Sequence, residues 1–219
     1  MKIKYPINLH KSLTFAFVLG LMFFYQNFTL APWVYLALHG TYGLMWLIKD
    51  SLYPDRQWEE SISLVQGIGV YIIISAYWVA PYILISSGSQ PSAALISLAI
   101  ATNIFGVFLH YASDAQKYFT LKYRKGLITE GFFSRSRNPN YLGEILIYLG
   151  FAILTQHWLP FVILGLFVAL VFVPNMRKKD NSLARYPEFA AYKERSGLLF
   201  PKLFVSKSTI SSTNEMAEY

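Results

Sequence analysis

Residues 62–85 read ISLVQGIGVYIIISAYWVAPYILI, a stretch of 24 residues without a single Asp, Glu, Lys or Arg. The hydrocarbon core of a bilayer is about 30 Å thick, and an α-helix needs about 20 apolar residues to cross it. The stretch is therefore predicted to be a membrane-spanning helix. Pro81 lies near its end and is expected to kink the helix or end it early, because proline lacks the N–H that the helix requires.

The rest of the chain repeats this pattern. Further apolar runs occupy residues 13–30, 33–48, 93–111, 141–154 and 159–173. Of the 219 residues, 54% are hydrophobic and only 14% are charged, whereas soluble domains carry about 25% charged residues. We therefore predict an all-α, polytopic integral membrane bundle of about six transmembrane helices, in which the last two form a hairpin. The absence of cysteine excludes disulfides and thiolate metal sites.

The basic residues are confined to alternate loops. All 19 Lys and Arg fall within residues 1–11, 49–61, 113–140 and 175–219, and the turns at residues 31–33, 86–91 and 155–157 contain no charged residue. By the positive-inside rule, both termini, the basic loops and a C-terminal amphipathic segment are predicted to be cytoplasmic. The net charge of +7 is attributed to this orientation, and no nucleic-acid partner is expected. The sequence leaves open a bacterial inner membrane or the endoplasmic reticulum.

Polar residues are concentrated at the start of the fifth predicted span, where residues 135–144 read RSRNPNYLGE. Asn138 is suited to an N-cap and Pro139 to the first helical position. A helix that begins there presents free N–H groups and its positive dipole end to an anion. Asn140 and Glu144 are four residues apart and share one helix face. Glu144 lies about one turn inside the span, where an unpaired carboxylate is costly, so a functional role is predicted for it.

This run and the segment before it carry a family resemblance. Residues 137–144 (RNPNYLGE), preceded by residues 126–133 (GLITEGFF), resemble the C-terminal domain of the steroid 5-alpha-reductase family, which integral-membrane sterol reductases share. The usual family pattern is Arg-His-Pro-Asn-Tyr, and Asn138 stands here in place of the histidine. Further family segments are matched on both sides of the motif. They are Asp114, Lys117 and Arg124 upstream, and residues 177–180, 186–193 and 199–201 downstream. The resemblance covers residues 105–204.

The resemblance implies a membrane reductase that passes hydride from NADPH to an activated C=C bond of a lipophilic, steroid-like or other lipid substrate. Glu144 and Tyr141 are the implied catalytic residues. The implied cofactor-binding residues are Asp114, Lys117, Arg124, Arg137, Asn140, Glu144, Arg177, Asp180, Tyr186 and Tyr192. Four of them, Lys117, Arg124, Arg137 and Arg177, suit the cofactor phosphates. Membrane lipids are the other expected partners, and the oligomeric state is left open.

The resemblance also implies a division of the chain. Residues 1–112 would form a four-span region that shapes the substrate cavity, with Gln26, His39, Gln66, Tyr71 and Tyr77 as polar candidates. Residues 113–204 would bind the cofactor and include the last helical hairpin. Residues 205–219 are predicted to be a disordered tail, because they are polar and lack an apolar period.

Two other functions stay open. Isoprenylcysteine carboxyl and phospholipid methyltransferases share the hairpin and a similar motif, and they use S-adenosylmethionine beside a C-terminal Glu-Glu pair. The matching positions here are Lys179 and Asp180, which is one acid short. The third possibility is a non-catalytic membrane scaffold, which would leave Glu144 and Asp114 unexplained. No metal site is predicted, because the four histidines have no acidic companion at ligand spacing.

Overall fold

The computed structural model describes residues 1–204 and contains no β-strand within them, only two isolated β-bridges. The predicted tail, residues 205–219, lies outside the described residues. The helices are α1 (Lys4–Phe24), α2 (Leu30–Leu52), α3 (Leu64–Ser75), α4 (Val79–Ser86), α5 (Ala93–Tyr123), α6 (Pro139–Thr155), α7 (Trp158–Phe167), α8 (Val173–Leu183) and α9 (Phe189–Arg195). The all-α prediction is confirmed.

Four helical stretches are long and apolar enough to cross a membrane: Lys4–Phe24, Leu64–Ser86, Ala93–Tyr123 and Trp158–Leu183. The protein therefore has the build of a polytopic helical membrane protein, as predicted. Helix α2 has 23 residues and α6 has 17, and α2 is about 34 Å long at 1.5 Å per residue. The predicted total of about six spans depends on α2 and α6 also crossing, and it stays a prediction.

Several helices extend beyond the predicted spans, α1 and α5 among them. Helix α1 begins at Lys4, although the predicted span began at residue 13, and α5 continues to Tyr123, although its predicted span ended at residue 111. The extensions carry charged residues that have partners inside the bundle, so the charges do not end the helices. Asp114, for example, pairs with Lys49 of α2. The predicted division after residue 112 consequently falls within the continuous helix α5.

Prolines account for the two irregular helical segments. Ala76–Trp78 forms a 3₁₀ turn between α3 and α4, and Pro81 cannot donate an N–H to the carbonyl of Tyr77. Val168–Phe172 forms a π-helical segment between α7 and α8, where Pro174 likewise leaves the carbonyl of Leu170 without its usual donor. Both irregular segments lie next to the cavity described below.

Helices α5 and α6 form the closest helix pair in the bundle, because glycines face each other along the contact. A Cβ built on Gly143 would lie 2.4 Å from the backbone nitrogen of His110, and one on Gly106 would lie 2.7 Å from the carbonyl oxygen of Gly143. Two turns further on, a Cβ on Gly150 would lie 2.8 Å from the carbonyl oxygen of Ala99. These contacts fix the register of Asn140 and Glu144 against His110 and Asp114.

Hydrogen bonds connect the uncharged turns with one another at one end of the bundle. Ser89 donates to the side chain of Gln156 at 2.9 Å, which joins the turn after α4 to the turn after α6. The Asn27 side chain donates to the carbonyl of Ile85 at 2.9 Å, which adds the turn after α1. The basic segments meet at the opposite end, where Lys117 contacts Asp55 at 2.5 Å. The alternation of charged and uncharged loops therefore corresponds to two physical ends of the bundle.

The glycine contact predicts a strong effect of one added methyl group. Gly143→Ala should lower the thermal unfolding temperature of the detergent-solubilised protein, because overpacking against backbone atoms costs about 1–3 kcal/mol. Gly165→Ala in α7 is the matched control, since a Cβ there meets nothing within 4 Å, and it should be neutral or stabilising. Equal unfolding temperatures for the two variants would contradict the proposed α5–α6 contact.

The two ends predict a labelling pattern. Because the natural chain has no cysteine, single cysteines can be introduced at Ser87 and at Lys125, which are exposed at opposite ends. In intact cells an impermeant maleimide should label Ser87→Cys, and it should label Lys125→Cys only after the membrane is permeabilised. Labelling of Lys125→Cys in intact cells would contradict the predicted orientation.

Candidate functional site

A cavity of about 110 Å³ lies among α1, α2, α6 and the α7–α8 segment. Its polar lining comes from His10, Lys11, Tyr141, Glu144, Tyr148 and Asn175. Trp46 and Trp58 supply aromatic surface, and Ile74, Phe167 and Val171 supply an apolar part of the wall. A mostly apolar cavity with a few convergent polar groups is typical of a small-molecule site.

Glu144 and Tyr141, the two predicted catalytic residues, both line this cavity. They lie one turn apart on α6, and the Tyr141 ring is 5.1 Å from that of Phe172, centroid to centroid. Among the described residues, the Glu144 side chain forms no ion pair and no hydrogen bond. A half-buried carboxylate in a cavity without a partner is available to a ligand.

Lys11 also lines the cavity, and the sequence analysis did not identify it. It was assigned to the basic flank before the first span, but it lies inside α1 and is only 6% exposed. Its Nζ donates to the hydroxyl of Tyr148 at 2.8 Å and lies 4.1 Å from the centroid of the Tyr42 ring. The uncharged stretch 5–10 between Lys4 and Lys11 was the available signal, because it places Lys11 two helical turns beyond the flanking lysines.

Aromatic rings surround the polar side of the cavity. Tyr77 stacks on Tyr148 at a centroid distance of 3.6 Å and on Phe167 at 4.3 Å. The hydroxyls of Tyr77 and Tyr42 are buried without a hydrogen-bond partner. Of the five polar candidates from the first spans, only Tyr77 lines the cavity, whereas Gln66 closes the capping box at the start of α3.

Asp114 and Asn140 form a second group of polar atoms where α5 and α6 meet. Asp114 is paired through Oδ2 with the Lys49 ammonium group, which lies over the Trp46 ring. The His110 Nδ1 donates to the backbone carbonyl of Asn140 at 3.0 Å. The other side-chain oxygens, Oδ1 of Asp114 and Oδ1 of Asn140, are buried and unpartnered. Buried acceptors without donors are costly, and they would suit the hydroxyl or amide donors of a ligand.

The predicted phosphate-binding residues lie in different environments. Lys117 is paired with Asp55 at 2.5 Å, and Arg124 forms an exposed pair with Glu130 at 2.8 Å. Arg177 is exposed and has no ion pair within the part of the chain that the structure describes. Exposed pairs contribute little to stability and are readily exchanged for a bound anion.

Arg137 instead binds the C-terminal segment. It is 5% exposed and forms an ion pair with Asp180 at 2.9 Å, and it also donates to the carbonyl of Ser196 at 2.6 Å. Asn138 occupies the N-cap position of α6 and Pro139 the first turn, as predicted, but the Asn138 side chain makes no capping hydrogen bond. Its side chain donates to the carbonyl of Leu198 at 2.8 Å and accepts from Lys179 at 3.1 Å. The motif therefore ties the start of α6 to the residues that follow α9.

Tyr186 and Tyr192 belong to a small second core outside the bundle. They pack with Leu127 and Phe189, and the Tyr192 hydroxyl donates to the carbonyl of Phe133 at 2.6 Å. Burial raises the pKa of the Tyr192 hydroxyl to about 12, so it remains a donor at neutral pH. In the structure these two tyrosines do not line the cavity.

Comparison with known proteins gives the following relatives. The nickel-cobalt-cadmium resistance protein NccN of Alcaligenes xylosoxydans xylosoxydans is 31% identical over 149 residues, which cover 65% of this chain and 68% of that protein. The cobalt-zinc-cadmium resistance protein CzcN of Cupriavidus metallidurans is 31% identical over 94 residues, covering 42% of this chain and 44% of the relative. An uncharacterized protein of Schizosaccharomyces pombe is 36% identical over 95 residues, covering 40% and 27%.

The chain thus spans less than half the length of CzcN and of the yeast protein. No solved structure matches the chain. The family model described as "Protein of unknown function (DUF1295)" matches residues 51–196, which include α3 to α9, Asp114 and the ion pair of Arg137 with Asp180. The chain is a member of the DUF1295 family.

Proposed function

We propose that this chain is a membrane-embedded reductase that uses NADPH to reduce an activated C=C bond of a lipophilic substrate. The observation that carries the proposal is the unpartnered carboxylate of Glu144 beside Tyr141 in a mostly apolar cavity. The resemblance of residues 126–144 to the steroid 5-alpha-reductase family supports it. The printed names of NccN and CzcN concern metal resistance, but no group of three His, Asp or Glu side chains among residues 1–204 could hold a metal ion.

The residues at the α5–α6 contact fit the cofactor. The unpartnered oxygens of Asp114 and Asn140 are acceptors, and the ribose hydroxyls and carboxamide of NADPH offer donors. Glu144 would accept from the carboxamide, and Lys117, Arg124 and Arg177 would hold the phosphates by charge-assisted hydrogen bonds. When bound, the nicotinamide supplies the hydride.

The chain itself would supply orientation, a dry cavity and a proton. The walls formed by Trp46, Phe172 and Phe167 exclude water from the reacting bond. Tyr141, as a phenol at the cavity surface, is the proposed proton donor to the carbon that does not receive the hydride. Four residues would instead hold the C-terminal segment against α6 as positioning residues, without direct contact with the cofactor: Arg137, Asp180, Tyr186 and Tyr192.

The methyltransferase alternative receives less support. That reaction class places two acids beside the positive sulfonium of S-adenosylmethionine. Here Lys179 donates to the carbonyl of Arg137 at 2.7 Å, and Asp180 is engaged by the Arg137 guanidinium. Neither side chain is free to face a sulfonium, and the remaining cations near the site would repel one.

Two variants test the cofactor proposal without disturbing an ion pair. Glu144→Gln should raise the dissociation constant of NADPH by about ten-fold or more, since a charge-assisted hydrogen bond is worth about 1.5–3 kcal/mol. Asn140→Ala should raise it about five-fold, because a neutral hydrogen bond is worth about 1 kcal/mol. Titration of the purified proteins by nicotinamide fluorescence measures both values.

The matched control is Glu194→Gln, which removes an exposed carboxylate on α9 and should leave NADPH binding unchanged. Unfolding temperatures check that all variants fold. If both cavity variants bind NADPH as tightly as the wild type does, the assigned pocket is wrong.

A further inference from the structure

The cavity contains two charged side chains of opposite sign that do not pair with each other. Lys11 and Glu144 both line it, yet no N···O distance of 4.0 Å or less joins them, and Lys11 has no carboxylate within that distance among residues 1–204. The other buried Lys and Arg side chains among residues 1–204 differ in this respect. Lys49 and Arg137, for example, are paired with Asp114 and Asp180.

The direct contacts of the Lys11 ammonium are with neutral groups only. Its ammonium lies over the rings of Tyr42 at 4.1 Å and of Trp46 at 5.3 Å, and it uses one N–H for the hydroxyl of Tyr148. Cation–π contacts and one hydroxyl acceptor favour the charged form, but they leave N–H donors of the ammonium without an anion. Buried charges in proteins are ordinarily paired or bound to a ligand.

Tyr148 extends the same donor group. Because its oxygen accepts from Lys11, its own O–H proton remains to be donated. Its ring is fixed by stacking on Tyr77 at 3.6 Å, so the hydroxyl has little freedom to turn away. Two donors, one of them positively charged, therefore meet at the cavity wall on the side of α1.

We propose that Lys11 and Tyr148 bind a fully or partly negative oxygen atom of the lipophilic ligand. The ligand is thus an amphiphile with a carbonyl, enolate or phenolate oxygen at Lys11 and an apolar body against Ile74, Phe167 and Val171. This inference deepens the proposed function by naming the polar group of its substrate. Only the statement that the bound amphiphile is the substrate rests on the proposed function. The binding site itself does not require the cofactor.

A lipophilic nitrophenol tests the site without any reaction. The probe is 4-nitrophenol with an octyl chain at position 2, which titrates near neutral pH and absorbs visible light only as the phenolate. It is added to the purified full chain in detergent, and the absorbance is followed against pH and protein concentration. Wild type should bind the phenolate in preference to the phenol. The pKa of the bound probe should therefore be lower than its pKa in protein-free micelles.

Substitution of Lys11 should remove this preference. Lys11→Met should weaken phenolate binding about ten-fold and raise the pKa of the bound probe by about one unit relative to wild type. Lys11→Arg keeps the charge and should retain most of the preference. Lys4→Met is the control on the same helix, because Lys4 contacts Glu59 outside the cavity, and it should behave as wild type.

Two further measurements separate this inference from the cofactor proposal. Tyr148→Phe should weaken phenolate binding several-fold without abolishing it, since Lys11 remains. NADPH binding should be unchanged in Lys11→Met, because Lys11 is not among the proposed cofactor ligands. If the protein binds the phenolate through Lys11 but does not bind NADPH, the oxygen-binding site is supported and the reductase proposal is rejected.

The opposite results overturn the inference. If Lys11→Met folds and binds the phenolate as tightly as wild type, with the same pKa of the bound probe, then Lys11 is not the oxygen site. If the probe binds but its pKa is the same as in protein-free micelles, only the octyl chain is recognised, and the site is likewise rejected.

Discussion

The backbone contact between α5 and α6 is the constraint on which the candidate site depends. Gly106, Gly143 and Gly150 allow the two helices to approach to a distance at which any Cβ would collide with backbone atoms. Without a hydrophobic driving force between helices in lipid, such close packing is a main source of association. The contact places Asn140 beside His110 and sets Glu144 at the wall of the cavity.

The distribution of charge within the bundle distinguishes structural groups from candidate ligand-binding groups. Asp114 with Lys49 and Arg137 with Asp180 are buried pairs, and removing one partner of such a pair typically costs about 3–5 kcal/mol. Lys11 and Glu144 have no such partner, although burying a charge without one is costly. Ligands that bind these two side chains would relieve that cost, which is the physical argument for a functional cavity.

The sequence predicted the helical class because long uncharged runs leave few alternatives in a chain with 14% charged residues. It placed the start of α1 and the end of α5 wrongly. Lys11 was interpreted as lying before the first span, and Asp114 as lying after the end of the fourth. Their partners, Tyr148 and Lys49, lie 137 and 65 residues away in the chain, and such cross-helix contacts cannot be read from local pattern.

The candidate site was predicted in part. Glu144 and Tyr141, the candidate catalytic residues of the motif, both line the cavity, and their catalytic roles stay a prediction. Arg137 was assigned to phosphate, but its burial against Asp180 depends on how the C-terminal segment folds back onto α6. The N-cap position of Asn138 was predicted correctly, but its side chain makes no capping hydrogen bond, since it contacts Leu198 and Lys179 instead.

Thermal unfolding of the purified chain with NADPH and, separately, with S-adenosylmethionine tests the central claim most directly. A ligand present at 100 times its dissociation constant stabilises the folded state by about 2.7 kcal/mol, which is a readily measured shift. We predict that NADPH raises the unfolding temperature and that S-adenosylmethionine does not. Stabilisation by S-adenosylmethionine, with none by NADPH, would contradict the reductase proposal and favour the methyltransferase.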